Sequence, residues 1–192
     1  KTHAGGRIEI HESDKEYHTE EIRFILPREI YDVLKKELNR IITGKKEGVT
    51  VGILLHPYNE DSPAGLGRYI IELATSIIAH DKNNKYILYL KKKPKVYPVF
   101  PGDNWNIEVL NDSYLWLGFG LRRATKADIY IFSTPILPLF FRPQKAIVIA
   151  LDFAYKYFPA TGLRGFITGK ALSLYHGWSL KKASRIVSMS HA

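Results

Sequence analysis

From residue 49 onward the chain alternates short β-branched runs with longer helical patterns, and this alternation constrains its fold more than any other feature. The first run, Val49 to Leu55, is apolar throughout, which is typical of a strand buried on both faces of a sheet. Five further strands are predicted, at Lys85 to Leu90, Asn106 to Leu110, Asp128 to Phe132, Lys145 to Leu151 and Arg185 to Met189. Strands that alternate with helices predict a Rossmann-like α/β fold, a parallel sheet with helices on both faces.

Three segments between these strands have helical patterns. The first has an apolar stripe typical of a helix that lies on a sheet, formed by Ile70, Leu73, Ala74, Ile77 and Ile78. A second helix is predicted from Ser113 to Ala127, although Gly118 and Gly120 weaken it. The third is predicted from about Gly165 to Lys182. The apolar positions of this helix favour a side that faces the core; they are Ile167, Ala171, Leu174, Tyr175 and Trp178. Its lysines favour a solvated side; they are Lys170, Lys181 and Lys182.

The first 48 residues differ in composition from the rest. They contain 10 basic and 10 acidic side chains, whereas residues 49–192 contain 18 basic and 9 acidic ones and so carry the whole formal charge of +9. The residue pattern of this segment predicts two extended pieces, Arg7 to Glu12 and Tyr17 to Leu26, followed by an amphipathic helix after Pro27. We therefore predict a small ββα extension over 1–48 and a Rossmann-like domain over 49–192.

Composition excludes several classes of protein. The 192 residues include no cysteine, which excludes disulfides, thiolate zinc sites, iron–sulfur clusters and cysteine nucleophiles. No apolar run approaches the roughly 18 uncharged residues needed to cross a bilayer. No signal-type hydrophobic region stands at the start, so a cytoplasmic location is expected. The positive charge is compatible with nucleic acid, an anionic membrane surface or phosphorylated substrates.

Ligands of such sheets bind beyond the carboxyl ends of the strands, so the loops that follow strands are the candidate sites. The first of these loops leads through Gly65 and Gly67 to Arg68 and directly into a helix, whose N-terminal amides favour an anion such as phosphate. A dinucleotide fingerprint would need a third glycine where Ile70 stands, and a P-loop is excluded because Ala171 follows Gly169-Lys170. The two glycines would equally serve a tight turn.

Two more loops follow strands. Asp152 ends a predicted buried strand, where a carboxylate could hydrogen-bond a sugar hydroxyl, hold a catalytic group or cap a turn. The segment from Ser133 to Pro138 follows another strand and could line the same cleft.

Taken in order, four motifs resemble the N-terminal domain of group 1 (family 4) glycosyltransferases of the GT-B fold. They are Gly65-Leu66-Gly67-Arg68-Tyr69, the strand Ala127-Asp128-Ile129-Tyr130-Ile131-Phe132, the strand Val148-Ile149-Ala150-Leu151-Asp152 with Pro159 after it, and the closing Lys182-Ala183-Ser184-Arg185-Ile186-Val187-Ser188-Met189-Ser190. The resemblance covers about residues 49 to 192.

The resemblance implies transfer of a sugar, with retention at the anomeric carbon, from a nucleotide-sugar donor to a glycan or lipid-linked acceptor. It implies no cofactor and no metal, since the nucleotide sugar is a substrate. Amides at Gly65 and Gly67 would approach the donor diphosphate and stabilise charge on the leaving oxygen. Asp152 would be catalytic. Arg68, Ser133 and Ser190 would contact substrate or phosphate.

The chain departs from the family pattern in two ways. Leu151 stands where the family often has a histidine before the aspartate, so the resemblance does not imply a sugar contact by an imidazole at this position. The motif around Ser190 would lead into the donor-binding domain, so the resemblance implies that this domain is supplied in the same chain or by a partner. Because two-substrate catalysis depends on proximity, the isolated chain is expected to be inactive.

A second hypothesis comes from another class: a noncatalytic basic module that binds nucleic acid or an anionic membrane surface. It explains the positive charge directly, and aromatic residues beside Lys156 could stack on bases. No recognised nucleic-acid signature is present, and an enzyme that works on lipid-linked acceptors at the inner face of a membrane would also have a basic face. The expected partners are therefore a nucleotide sugar, an acceptor and the membrane, without nucleic acid.

Overall fold

The computed structural model describes residues 3–4, 7–8, 32, 35–36, 38, 48–56, 58, 66–110, 116–150 and 162–188. Six of its strands form one parallel sheet in the order β3–β2–β1–β4–β5–β6. The strands are β1 (Thr50–Leu54), β2 (Lys85–Leu90), β3 (Trp105–Val109), β4 (Ile129–Phe132), β5 (Ala146–Ala150) and β6 (Arg185–Ser188). This order is that of a Rossmann-like fold, and the predicted fold class is confirmed.

The helices follow the predicted order, with one correction. Helix α1 spans Leu66–His80, and helix α3 spans Gly162–Lys182. Between β3 and β4, the predicted helix from Ser113 to Ala127 is wrong in its extent. The described part is a π-helical turn, Trp116–Gly120, followed by the single turn of α2, Leu121–Arg123. Two glycines within five residues weaken regular helix, and Ala124 is already extended.

The side chains of the sheet alternate between two hydrophobic clusters, one on each face. On one face, Val51 and Ile53 of β1 pack with the apolar stripe of α1. On the other, Leu54 and the β4 residues Tyr130 and Phe132 pack with the residues around α2. Helices therefore cover both faces, which explains why β1 and β4 are apolar at successive positions.

Helix α3 contradicts its predicted orientation. Four of the five residues of its apolar stripe face solvent, with Ile167 59% and Leu174 77% exposed, whereas Tyr175 is half-buried. The inward face instead carries His176 and Ser179, both buried, and the Ser179 hydroxyl accepts a hydrogen bond from the backbone N–H of Leu137 at 3.1 Å. The core-facing prediction is therefore wrong for the stripe except at Tyr175, because hydrogen bonds to Leu137 and the packing of Leu180 turn the other side of the helix inward.

The N-terminal segment is described only in part. His3–Ala4 and Arg7–Ile8 form a short antiparallel pair. Leu38, one of the helical residues of this segment, is buried in the same cluster as β1 and α1. The rest of the predicted extension, including Tyr17 to Leu26, lies outside the described residues. The boundary near residue 48 stays a prediction.

The amino edge of the sheet is closed by a polar turn before β2. The Asp81 carboxylate accepts hydrogen bonds from the backbone N–H groups of Asn83 and Asn84, at 2.9 and 3.2 Å, and from the Tyr86 hydroxyl at 2.5 Å. Burial of Asp81 opposes ionisation, but these bonds prevail and lower its pKa. A cavity of about 280 Å³ beside this turn is lined in part by these four residues, whose hydrogen bonds already hold the turn; the others that line it are Lys35, Leu38, Ile77, His80 and Lys82.

Candidate functional site

A cavity of about 320 Å³ lies at the opposite, carboxyl edge of the sheet, where β1 and β4 end side by side. Between these two strands the order of the sheet reverses, and ligands of doubly wound sheets bind at this switch point. The N-terminus of α1 lies at the same edge, because α1 follows β1. The cavity is lined by Leu54, His56, Trp116, Leu117, Gly118, Phe132, Ser133, Thr134, Ile136, Pro138, Leu139, Phe140 and Tyr175.

Ser133, the first residue after β4, joins the ends of the two central strands. Its hydroxyl oxygen lies 2.9 Å from the carbonyl oxygen of Leu54 and 2.6 Å from that of His56. A hydroxyl has one proton, so Ser133 shares that proton between two backbone acceptors. The side chain can therefore accept a hydrogen bond from a ligand, but donating one would disrupt a bond that connects β4 to β1.

His56, just beyond the end of β1, provides the imidazole of the cavity. Its ring packs at a tilt of 60° against Trp116, with the ring centroids 5.2 Å apart. Burial, and then the positive charge of Lys91, lower the pKa of His56. The imidazole is therefore neutral at pH 7, with one nitrogen that donates a hydrogen bond and one that accepts it.

The π-helical turn forms an aromatic wall of the cavity. A Cβ atom at Gly118 would lie 3.3 Å from the Cβ of Phe140, so the glycine permits the close approach of this ring. Phe140 in turn stacks on Phe119, with centroids 5.2 Å apart and planes at 19°. Both rings and Leu139 are partly exposed, so the apolar surface continues from the cavity to solvent.

Tyr175 reaches the cavity from α3. Its hydroxyl donates a hydrogen bond to the backbone carbonyl of Leu137. Burial raises the pKa of Tyr175, so the phenol is protonated at neutral pH. The other side of the ring stacks on Trp178, with centroids 5.8 Å apart. The cavity wall and the exposed face of α3 are thus in contact through two aromatic rings.

The chemistry available in the cavity follows from these bonds. Most lining side chains are apolar, and the protons of Ser133 and Tyr175 are held by backbone carbonyls. None of the residues that the structure shows lining the cavity is charged at neutral pH. Within the described part of the chain, no three His, Asp or Glu side chains come together as a metal site would require. The cavity is suited to an apolar group with a hydrogen-bond donor near Ser133.

Among the predicted site residues that the structure describes, Gly67, Arg68 and Ser133, only Ser133 lines the cavity. Gly67 and Arg68 lie in the first turn of α1, Gly67 buried and Arg68 exposed. The other three, Gly65, Asp152 and Ser190, lie outside the described residues, as does Leu151. Their predicted roles stay predictions.

Among the residues of the cavity that the sequence analysis did not predict are His56, Trp116 and Tyr175. His56 had a usable signal, since it directly follows the first buried strand. Trp116 lies in a segment that was predicted to be regular helix, and Tyr175 was included in an apolar stripe. Neither pattern indicates that the side chain meets the end of a distant strand.

Comparison with known proteins identifies no relative: no family model, curated protein or solved structure matches the chain. Among the helices that the structure describes, none combines the length and the apolar character needed to span a membrane.

Proposed function

We propose that this chain is the acceptor-binding domain of a retaining GT-B glycosyltransferase, acting with a donor domain that binds the nucleotide sugar. The main support for this proposal is the cavity between the ends of β1 and β4, at the carboxyl edge of the sheet, where α1 begins. Unpaired amides at the start of a helix stabilise negative charge, such as that of a departing diphosphate. Arg68, exposed in the first turn of α1, adds a positive charge at this edge.

The lining of the cavity favours one class of acceptor over another. A bare glycan would need many donors and acceptors, whereas this cavity presents mainly hydrocarbon and aromatic surface. The proposed acceptor is therefore a sugar or alcohol attached to a lipid or other apolar group. The apolar group would occupy the cavity and emerge over Phe119 and Phe140, and Ser133 or His56 would orient a hydroxyl at its head.

Calorimetric titration of the chain with alkyl glucosides, below their micelle concentrations, tests the acceptor site. We expect octyl β-glucoside to bind and methyl β-glucoside to bind far more weakly, because only the first has a chain to bury. Ile136→Trp, which fills the cavity, should weaken octyl glucoside binding roughly tenfold or more. Val99→Trp places the same ring at an exposed site that does not line the cavity, and should leave binding unchanged.

Three results would contradict the proposal. Equal binding of the two glucosides, or equal effects of Ile136→Trp and Val99→Trp, would remove the cavity as the acceptor site. Tight binding of nucleic acid that falls steeply with salt would favour the basic-module hypothesis instead.

The proposed requirement for a second, donor-binding domain is tested separately. The chain alone, supplied with nucleotide sugars and octyl glucoside, is expected to give no transfer, because the second substrate is not positioned. Rapid transfer by the isolated chain would show that it holds both substrates and would overturn that part of the proposal.

A further inference from the structure

The outer face of α3 is an apolar surface that the described part of the chain does not cover. Ile167, Leu174 and Trp178 are all exposed on it, and Ala171 lies between them. With about 100° per residue, these four positions fall within a sector of roughly 60°. A continuous apolar stripe therefore runs along a helix of 21 residues.

Lysines border this stripe on both sides. By the same helical rotation, Lys170 and Lys181 lie beyond one edge of the apolar sector and Lys182 lies beyond the other. Each is within about 60° of the nearer edge. All three are exposed. Long basic side chains beside an apolar stripe, with a tryptophan within it, are the pattern of a helix that lies in a membrane interface.

The surrounding charge has a single sign. Residues 153–192 include no Asp or Glu, and their basic residues are Lys156, Arg164, Lys170, Lys181, Lys182 and Arg185. An anionic surface complements such a segment. A second copy of the chain does not, because a two-fold contact between two α3 faces would bring lysines of both copies together.

We propose that α3 docks this protein on an anionic phospholipid surface. Ile167, Leu174 and Trp178 enter the boundary between headgroups and acyl chains, and the flanking lysines contact lipid phosphates. The buried side of the helix, which includes Ser179, stays hydrogen-bonded to Leu137 in the segment after β4 and needs no rearrangement. This inference stands apart from sugar transfer, although the stacking of Trp178 on Tyr175 would bring the acceptor cavity close to the lipid.

Co-sedimentation of the full chain with vesicles tests the proposal. We expect binding to vesicles of mixed phosphatidylcholine and phosphatidylglycerol, weaker binding to phosphatidylcholine alone, and loss of binding at high salt. Tryptophan emission should shift to shorter wavelength on binding. Trp178→Phe should abolish that shift, since Trp105 and Trp116 lie outside α3.

Two matched pairs of variants separate docking through α3 from general attraction. Leu174→Glu should weaken binding to mixed vesicles roughly tenfold, by removing an apolar contact and adding repulsion. Val99→Glu makes the same charge change at a side chain that is 83% exposed elsewhere, and should have a much smaller effect. Replacing Lys181 and Lys182 with Gln should likewise weaken binding to mixed vesicles more than the same replacement at Lys92 and Lys93 does.

Each remaining outcome would overturn the proposal. Equal losses of vesicle binding within each pair of variants would show that binding depends only on the net charge of the protein. Absence of vesicle binding would exclude a lipid surface for α3. Self-association that Leu174→Glu abolishes, without vesicle binding, would identify a second copy as the occupant. Because all substituted side chains are exposed, circular dichroism should show that the variants fold as the parent does.

Discussion

Helices α1 and α3 have similar sequence signals and opposite environments. The apolar stripe of α1 is buried against the sheet, with each member at most 2% exposed, whereas that of α3 faces outward. Both stripes follow helical spacing. Periodicity therefore identifies which side of a helix is apolar, but not what covers that side.

The two helices are also held to the sheet by different means. Helix α1 depends on hydrocarbon burial against β1 and its neighbours. Helix α3 uses a buried serine, a tyrosine hydroxyl and the packing of Leu180 at its end. A hydrogen-bonded inner face leaves the apolar side available for another surface.

The largest expected effect is in α1. Ile77→Ala should lower the free energy of unfolding by about 3 kcal/mol, because it removes buried methylene groups and leaves a cavity. Urea denaturation monitored by circular dichroism measures the change. A loss below about 1 kcal/mol would mean that α1 is not packed as described.

The next effect concerns the polar inner face of α3. Ser179→Ala should cost about 2 kcal/mol, because the buried N–H of Leu137 loses its acceptor. Ser173→Ala, at a half-buried position on the same helix, serves as the control and should cost much less. Equal losses in urea denaturation would show that the Ser179 contact does not hold the helix.

A glycine in α3 should give an effect of opposite sign. A Cβ atom at Gly177 would meet nothing within 4 Å, so Gly177→Ala should raise the free energy of unfolding by about 1 kcal/mol through helix propensity. The control is Gly52→Ala in β1, where the added Cβ would lie 2.7 Å from Cε2 of the buried Tyr89. That variant should be destabilised by about 1–3 kcal/mol. Thermal melts of both variants test this contrast, and a change in melting temperature of the same sign in both would contradict it.

The smallest effect is expected on the exposed stripe. Leu174→Ala should change the free energy of unfolding by less than about 0.5 kcal/mol, because the side chain is already in water. The comparison with Ile77→Ala is direct, since both variants shorten an aliphatic side chain in a helix. Similar losses in urea denaturation would show that something covers Leu174 in solution and would remove the difference between the two helices.

Most of the fold could be predicted from sequence, because the signals for strands and helices are local. In the parallel sheet, the predicted bounds Lys85 to Leu90 match the structure, and those of the other five strands agree within one residue at each end. The exception, the segment after β3, failed because Gly118 and Gly120 serve close packing. A Cβ at Gly120 would lie 2.8 Å from the Cβ of Leu110, a contact that spacing alone does not reveal.

Less of the candidate site could be predicted. The rule that ligands bind beyond strand ends points to the loop at Ser133, which lines the cavity, but not to His56, Trp116 or Tyr175. Ser133 bonds to Leu54, 79 residues earlier in the chain, and the Tyr175 hydroxyl meets the Leu137 carbonyl. Such contacts depend on register and helix orientation, which no local pattern encodes.

Local patterns and composition are sufficient to predict the α/β alternation, the buried central strands and the charge imbalance, because each depends on neighbouring residues or on simple counts. The three-dimensional fold is needed to show that the apolar face of α3 is exposed and that an apolar cavity lies between the ends of β1 and β4. Burial is a property of what packs against a residue, and for both features those packing partners come from distant parts of the chain.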